Sequence, residues 1–386
     1  MERIKTLEMR GVTRRFGTAT ALHSFNLTME GGMFVSLLGP SGCGKSTALN
    51  CLAGLLDLSE GQILVNGKPV QNVPAEKRGF GMVFQNYALF PHLNVSRNVA
   101  YGMEIRGVPK ADRERRTQKA LDLVHLSEFG KRFPAQLSGG QQQRLALART
   151  IVLEPAMLLL DEPLSNLDTK LRNEMRVEIK RLHEELNLTT LYVTHDQSEA
   201  MSMSDLVLVM RLGRIEQLGT PQDIYNAPRS LYVADFMGYV NKVEVDVAGR
   251  DGEEWIVQLP GQAGATLRAK TTLNEAAWQI GDRVLACSRP DETLIDPLPT
   301  SNHLRGTVKL VEYMGKSFEG LIQLEGTQQQ VMAHSQQPLE NGQRVELGIR
   351  PERLLLFPMD AIAGAGKPGM AAGSAAAEPA LKGQAG

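Results

Sequence analysis

The sequence predicts an α/β domain built on a largely parallel sheet, carrying a helical subdomain, followed by a smaller all-β domain with an OB-like barrel. Three observations predict it. Residues 1–238 alternate short apolar runs with helical patterns. Within them, about 90–150 turns charged and helical, with few strand signals. From about Tyr239 the text becomes short alternating segments separated by turns such as Arg250-Asp251-Gly252 and Glu340-Asn341-Gly342. Short buried strands between helices mark a parallel sheet with both faces covered, whereas alternation with Asp-Gly and Asn-Gly turns marks an all-β unit.

The composition allows this division. The chain has 386 residues, enough for two domains, with 42% hydrophobic and 22% charged residues, an ordinary globular mixture. Lys plus Arg is 42 against 43 Asp plus Glu, a net charge of −1. That argues against bulk nucleic acid as the main partner, which needs a basic face. Cys43, Cys51 and Cys287 are too few and scattered for a disulfide framework or a thiolate metal site, and they suggest a reducing compartment. The start, MERIKTLEMR, has no apolar segment after its basic residues, so no secretory signal is expected. No apolar stretch approaches the length that spans a bilayer.

The elements follow in order. The run Met33–Leu38 ends at a glycine-rich turn, and Lys45–Leu55 then has a helical pattern. Lys110 to Leu126 is the charged helical text of the subdomain. Ala156–Leu160 and Leu191–Thr194 are further apolar runs ending in polar residues. In the C-terminal domain, about 239–360, strands are expected at Lys242–Val247, Trp255–Leu259, Arg283–Cys287, Gly306–Val311 and Arg344–Ile349. Two stretches echo each other: Gly281-Asp282-Arg283-Val284 leads to Ser288-Arg289-Pro290-Asp291-Glu292, and Gly342-Gln343-Arg344-Val345 leads to Ile349-Arg350-Pro351-Glu352-Arg353. Two related barrels that share strands would explain the echo, and so would chance similarity. The Ala/Gly-rich stretch 361–386 has little to bury and is expected to be disordered.

The chemistry begins at Gly39-Pro40-Ser41-Gly42-Cys43-Gly44-Lys45-Ser46-Thr47, which fits G-x-x-x-x-G-K-[ST] between a strand and a helix. Glycines let the backbone curl so that several N–H groups point inward, and the helix N-terminus adds partial positive charge. Lys45 should reach the β- and γ-phosphates of a nucleotide, and Ser46 should place its hydroxyl on Mg²⁺. A ligand-free glycine turn would explain the glycines but not the flanking strand and helix. Met157-Leu158-Leu159-Leu160-Asp161-Glu162 puts two acids at the tip of a buried strand, where open α/β sheets bind ligands. Asp161 would orient Mg²⁺ or its waters, and Glu162 would polarise the attacking water. His195, after Leu191–Thr194, would face the same γ-phosphate as a donor. A lone histidine at a strand end is otherwise more often a satisfied structural residue.

At this point the residues resemble a family, the ATP-binding subunits of ABC transporters. The segment Leu137-Ser138-Gly139-Gly140-Gln141-Gln142-Gln143-Arg144 looks like the family's signature sequence and is far more specific than the phosphate loop alone. Phe16 falls where an aromatic stacks on adenine, Gln85 matches the Q-loop glutamine, and Ser165-Asn166-Leu167-Asp168 matches the D-loop. His195 matches the switch histidine. The resemblance covers residues 1–238, and Gly348-Ile349-Arg350-Pro351-Glu352 with the paired β segments looks like the regulatory TOBE barrels of bacterial importers of the maltose/polyamine type.

The resemblance implies an ATPase that couples ATP hydrolysis to solute translocation. ATP and Mg²⁺ would be bound by Phe16, by Gly39, Ser41, Gly42, Cys43, Gly44, Lys45, Ser46 and Thr47, and by Asp161 and Gln85 on the metal side. Glu162, His195 and Gln85 would serve hydrolysis. It implies a homodimer in which Ser138, Gly139, Gly140 and Gln141 of one chain face the γ-phosphate held by the other, with Asp168 in the D-loop. An ordinary helix cap would also explain Ser138 locally. The partners implied are integral-membrane permease subunits docking near Gln85–Asn94, through Tyr87, Leu89, Phe90 and Pro91, and indirectly an external solute-binding protein. The chain would be peripheral, at the cytoplasmic face of the cell membrane. Phe236-Met237-Gly238-Tyr239-Val240-Asn241 departs from the pattern of sugar importers and leans towards polyamine-like or other small organic or ionic cargo. Two other readings compete: a soluble ABC ATPase acting on nucleic acid or ribosomes, and oligonucleotide binding by the C-terminal barrels. The first usually needs two cassettes or a long coiled coil, whereas this chain has one cassette; for the second, basic-groove and aromatic-platform signals are weak, with only two tryptophans, Trp255 and Trp278.

Overall fold

Every residue of Phe34–Leu38 and Thr190–Thr194 is buried, so both strands must be covered on two faces. In the computed structural model, which describes residues 4–260, 266–271, 278–295 and 302–359, they form the middle of a six-stranded sheet. Its order is Arg214–Gly219, Leu206–Arg211, Phe34–Leu38, Thr190–Thr194, Met157–Asp161, Phe80–Val83. All neighbours are parallel except the antiparallel edge strand Arg214–Gly219. Strand residues alternate between two apolar clusters, as the two-residue period requires. Leu158 and Leu160 join one with the helices Gly139–Ile151 and Thr169–Leu186; Met157 and Leu159 join the other with the helix Lys45–Ala53.

The second cluster is roofed by an element that the sequence pattern does not announce. Thr6–Phe16, Ala19–Glu30, Glu60–Val65 and Lys68–Pro69 form a separate antiparallel sheet. Residues 90–150 contain the helices Val95–Ile105, Lys110–Leu123 and Gly139–Ile151, with two short 3₁₀ turns between the last two.

The chain divides after Gly238 into two compact units. In the second, Thr293–Ile295, Gln330–Ser335, Phe318–Leu324, Asn302–Tyr313 and Arg344–Ile349 close a five-stranded barrel. Thr266–Ala269, Glu254–Gln258, Asn241–Asp251, Arg283–Ser288 and Leu355–Pro358 form a five-stranded sheet. Of the two related barrels expected from the sequence echo, only one closes among the described residues, the other set of strands forming a sheet, but the sharing of strands is present. Arg283–Ser288 and Arg344–Ile349 each lead through a 3₁₀ turn into a strand that crosses to the other layer: Thr293–Ile295 pairs with Arg344–Ile349, and Leu355–Pro358 pairs with Arg283–Ser288. The expectation for 361–386 lies outside the described residues. Among those described, no helix is long and apolar enough to cross a membrane.

Candidate nucleotide site

The parallel strands bring their C-terminal ends to one edge, and the loops there carry the acids, the lysine and the histidine. Gly44 precedes the helix Lys45–Ala53 at φ 104°, and a Cβ there would meet the Ala21 carbonyl oxygen at 2.7 Å. Only glycine fits such a turn. Because Gly44 has no side chain to cap the helix, the first-turn N–H groups are left for an anion. The helices beginning at Val95, Gly139, Thr169 and Gln197 are all capped by polar side chains. Cys43 is buried beside this turn, and burial pushes its thiol pKa up.

Lys45 is 4% exposed. Its Nζ donates to the carbonyls of Gly39 at 2.9 Å and Pro40 at 3.0 Å and lies 3.7 Å from Glu162. Ser46 Oγ donates to Asp161 Oδ1 at 2.8 Å. Burial pushes the Asp161 carboxyl up, with Glu162 adding to the rise, while the Ser46 hydrogen bond and Lys45 pull it down. This serine–carboxylate pair presents hard oxygen donors of the kind that suit Mg²⁺. Among the described residues no group of three or more His, Cys, Asp or Glu could hold an ion. Phosphate and water oxygens would therefore complete the shell.

Glu162 has a left-handed backbone, φ 42°, unusual for a residue with a side chain. Its N–H donates to the Val193 carbonyl at 3.0 Å, and its carbonyl accepts from Ser165 Oγ at 2.9 Å. Such conformations persist only where neighbours over-determine them, and they cluster at active sites. Here the turn lifts the carboxylate off the strand axis towards His195, whose Nδ1 is 3.2 Å from Glu162 Oε2. His195 is half-exposed. Phe16 ends its strand exposed, with the Arg14 guanidinium 4.6 Å over its ring.

The fold therefore joins Lys45, Ser46, Asp161, Glu162 and His195. Gln85 is placed otherwise: its side-chain amide donates to Ser165 Oγ at 3.2 Å, and the Asn166 side chain donates to its backbone carbonyl at 3.0 Å. Ser138 caps its helix reciprocally with Gln141, and Asp168 caps Thr169–Leu186. Gly140 packs closely under Leu171, whose Cδ1 a Cβ at Gly140 would approach to 2.5 Å, so a larger residue would require the Leu171 side chain to shift. Among the described residues no hydrogen bond or ion pair joins Ser138–Gln141 to Gly39–Thr47.

The segment after Gln85 needs one correction. Tyr87 is 6% exposed and belongs to the core cluster, so it is not part of an apolar surface. Its φ of 61° and that of Ala88, 46°, turn the chain inward. Sequence reasoning missed what holds this turn. Arg149 donates to the carbonyls of Ala88 at 2.6 Å and Tyr87 at 2.9 Å. Asn98, fully buried, bonds Phe90 N and O, Leu93 O and Asn94 O. It also missed Arg172 and Glu199, which lie behind His195.

A phosphate loop facing a paired carboxylate, with a separate capped signature helix, defines an ATP-binding cassette. The comparisons agree. Residues 22–165 match the ABC transporter family and residues 286–357 the TOBE domain. The Fe(3+) ions import ATP-binding protein FbpC of Brucella abortus (strain 2308) is 46% identical over 314 residues, 81% of this chain and 86% of that protein. The spermidine/putrescine import ATP-binding protein PotA of Oleidesulfovibrio alaskensis is 44% identical over 322 residues, 82% and 85%. Among solved structures, cbiO1 from Clostridium perfringens, part of the ABC transporter complex cbiONQ, matches with a TM-score of 0.54 at 29% identity, over 58% of this chain and 91% of that one. The dimeric post-hydrolysis ATP-binding cassette MJ0796, bound to ADP and Pi, matches at 0.50 and 31%, over 56% and 98%. The chain belongs to the family of ATP-binding subunits of ABC importers, with a C-terminal TOBE domain. It is an ATPase whose hydrolysis energises import.

Proposed function

We propose that the chain works as a head-to-tail homodimer, closing on two MgATP molecules and reopening after hydrolysis, and so drives a separate membrane permease. The observation that carries this is the convergence of Lys45, Ser46, Asp161, Glu162 and His195 at one sheet edge. Lys45 and the first-turn N–H groups bind the phosphates. Ser46 and Asp161 would hold Mg²⁺, and Gln85, which hydrogen-bonds Ser165, would serve the same metal and the water. Bound Mg²⁺ neutralises charge on the phosphate oxygens. Glu162 orients and polarises a water whose oxygen attacks the γ-phosphorus as the bond to the ADP oxygen breaks. Its proton passes through the Glu162 carboxylate to the departing phosphate. His195 donates to the γ-phosphate and steadies Glu162. Phe16 stacks on adenine.

Among the described residues, the signature segment Ser138–Gln141 has no hydrogen-bond or ion-pair partner in the phosphate loop of its own chain, which supports its action on the ATP held by the second chain. The permease docks on the surface left by Phe84, Phe90 and Pro91, which the Arg149 and Asn98 hydrogen bonds hold in shape. Docking there places the chain at the cytoplasmic face of the membrane, with an external solute-binding protein as an indirect partner. The TOBE unit carries none of the catalytic set and is assigned to regulation. Relatives named for iron and for polyamines match almost equally well, which supports a small cation as cargo and leaves its selection to the permease and the binding protein.

Glu162→Gln tests the central role. It keeps size and hydrogen-bonding shape but removes the base. ATP affinity should be unchanged and turnover should fall roughly 10²-fold or more. Near-normal turnover with intact binding would refute the assignment.

A further inference from the structure

Glu199 lies on the short helix Gln197–Met203 and is 4% exposed. A carboxylate that deep is costly unless its oxygens are paired. Oε2 accepts from the Tyr192 hydroxyl at 2.7 Å and from Thr194 Oγ1 at 2.6 Å. Both donors belong to the strand Thr190–Thr194, which ends just before His195. Thr194 Oγ1 also accepts from the Asp196 N–H at 2.9 Å. The backbone on either side of His195 is thereby fastened to Glu199.

The second oxygen, Oε1, faces Arg172 Nε at 3.9 Å. Arg172 lies 3.8 Å from the Asp196 carboxylate and donates to the Leu167 carbonyl at 3.0 Å, in the turn that follows Glu162. Arg172 and Glu199 together border a cavity of about 20 Å³ whose other side is Glu162, Ser165 and His195. The walls are polar and the volume suits a single water.

We propose that Glu199 is a positioning residue for hydrolysis: with Arg172 it ties the strand end bearing His195 to the turn 165–168, so that both hold one geometry around Glu162. This rests on the reading of Glu162 and His195 given above. A merely structural Glu199 would lower stability alone. A positioning Glu199 lowers turnover at unchanged nucleotide affinity, because Lys45 and Phe16 are not among its contacts.

The test measures kcat, KM for ATP and thermal stability in the full chain for Glu199→Leu, Glu199→Gln, Arg172→Leu, the Glu199→Leu/Arg172→Leu pair and Tyr192→Phe. Glu199→Leu should lose about tenfold or more in kcat with KM within about twofold. Glu199→Gln keeps an acceptor oxygen for both hydroxyls and should recover most of that loss. The double variant should be no worse than the poorer single one, since residues acting as a unit are not additive. Normal kcat in both single variants, multiplied losses in the pair, or a raised KM at normal kcat would overturn the proposal. If Glu199→Leu does not fold, Tyr192→Phe, which removes one donor and keeps the ring, carries the same test: lowered kcat at unchanged KM supports it, and unchanged kcat overturns it. A His195→Ala control separates the levels. Normal turnover in His195→Ala defeats the reading of the site, whereas a slow His195→Ala beside a normal Glu199→Leu defeats this inference alone.

Discussion

His183 shows how one buried side chain can set an acid limit on the cassette. It is 5% exposed, packs edge-on to Phe34 with ring centroids 5.1 Å apart, and its Nδ1 lies 3.0 Å from Thr190 Oγ1. Burial, with Lys180 adding to it, holds its pKa below the ordinary imidazole value of about 6.5. The sign follows from linkage. The unfolded chain takes up the proton first, so the stability is fully present above about 6.5 and is lost as pH falls towards the folded value. His183→Gln removes the titration. Thermal unfolding against pH should therefore show the wild type losing stability below that point more steeply than the variant. Parallel curves would mean that His183 does not titrate in the folded core. The residue scale was also the most legible in the sequence where chemistry dictates order: Lys45, Ser46, Asp161 and Glu162 follow from residue type and context. The left-handed turn of Glu162 was not legible, because it depends on the Val193 carbonyl and Ser165 across the sheet.

At the scale of elements, the turn 86–94 is shaped by partners outside it. Asn98 bonds four backbone groups there from the first turns of Val95–Ile105. Asn98→Ala would strand buried donors and acceptors, at a cost of about 2 kcal/mol. For a unit of this size that is roughly a 4–8 °C fall in Tm. ATPase of the isolated chain should persist, whereas stimulation by the permease should fall. An unchanged Tm would show that the turn does not depend on Asn98. Periodicity revealed the helices beginning at Lys45 and Lys110 and the buried strands Phe34–Leu38, Met157–Asp161 and Thr190–Thr194, whose patterns are local. It did not reveal the antiparallel sheet within residues 6–69, because bulges at Gly11 and near Arg14 break the alternation of Thr6–Phe16 and the pairing of that strand with Glu60–Val65 is non-local. Tyr87 misled for a different reason: an aromatic beside Gln85 reads equally as core or as surface until its φ is known.

For the whole molecule, the cassette contains every residue placed in hydrolysis, and in the second unit strands are exchanged between its sheet and its barrel. In the proposed dimer, Ser138–Gln141 of one chain acts on the ATP held by the other, so hydrolysis needs the second chain. That is the central claim, and ATP-dependent dimerisation of Glu162→Gln tests it most directly. Without nucleotide the variant should sediment as a monomer, and with MgATP it should become a stable dimer. Adding Ser138→Arg, which leaves each phosphate loop intact and puts a bulky cation at the interface, should preserve ATP binding and abolish the dimer. A Glu162→Gln/Ser138→Arg protein that still dimerises with MgATP as readily as Glu162→Gln alone would contradict the account.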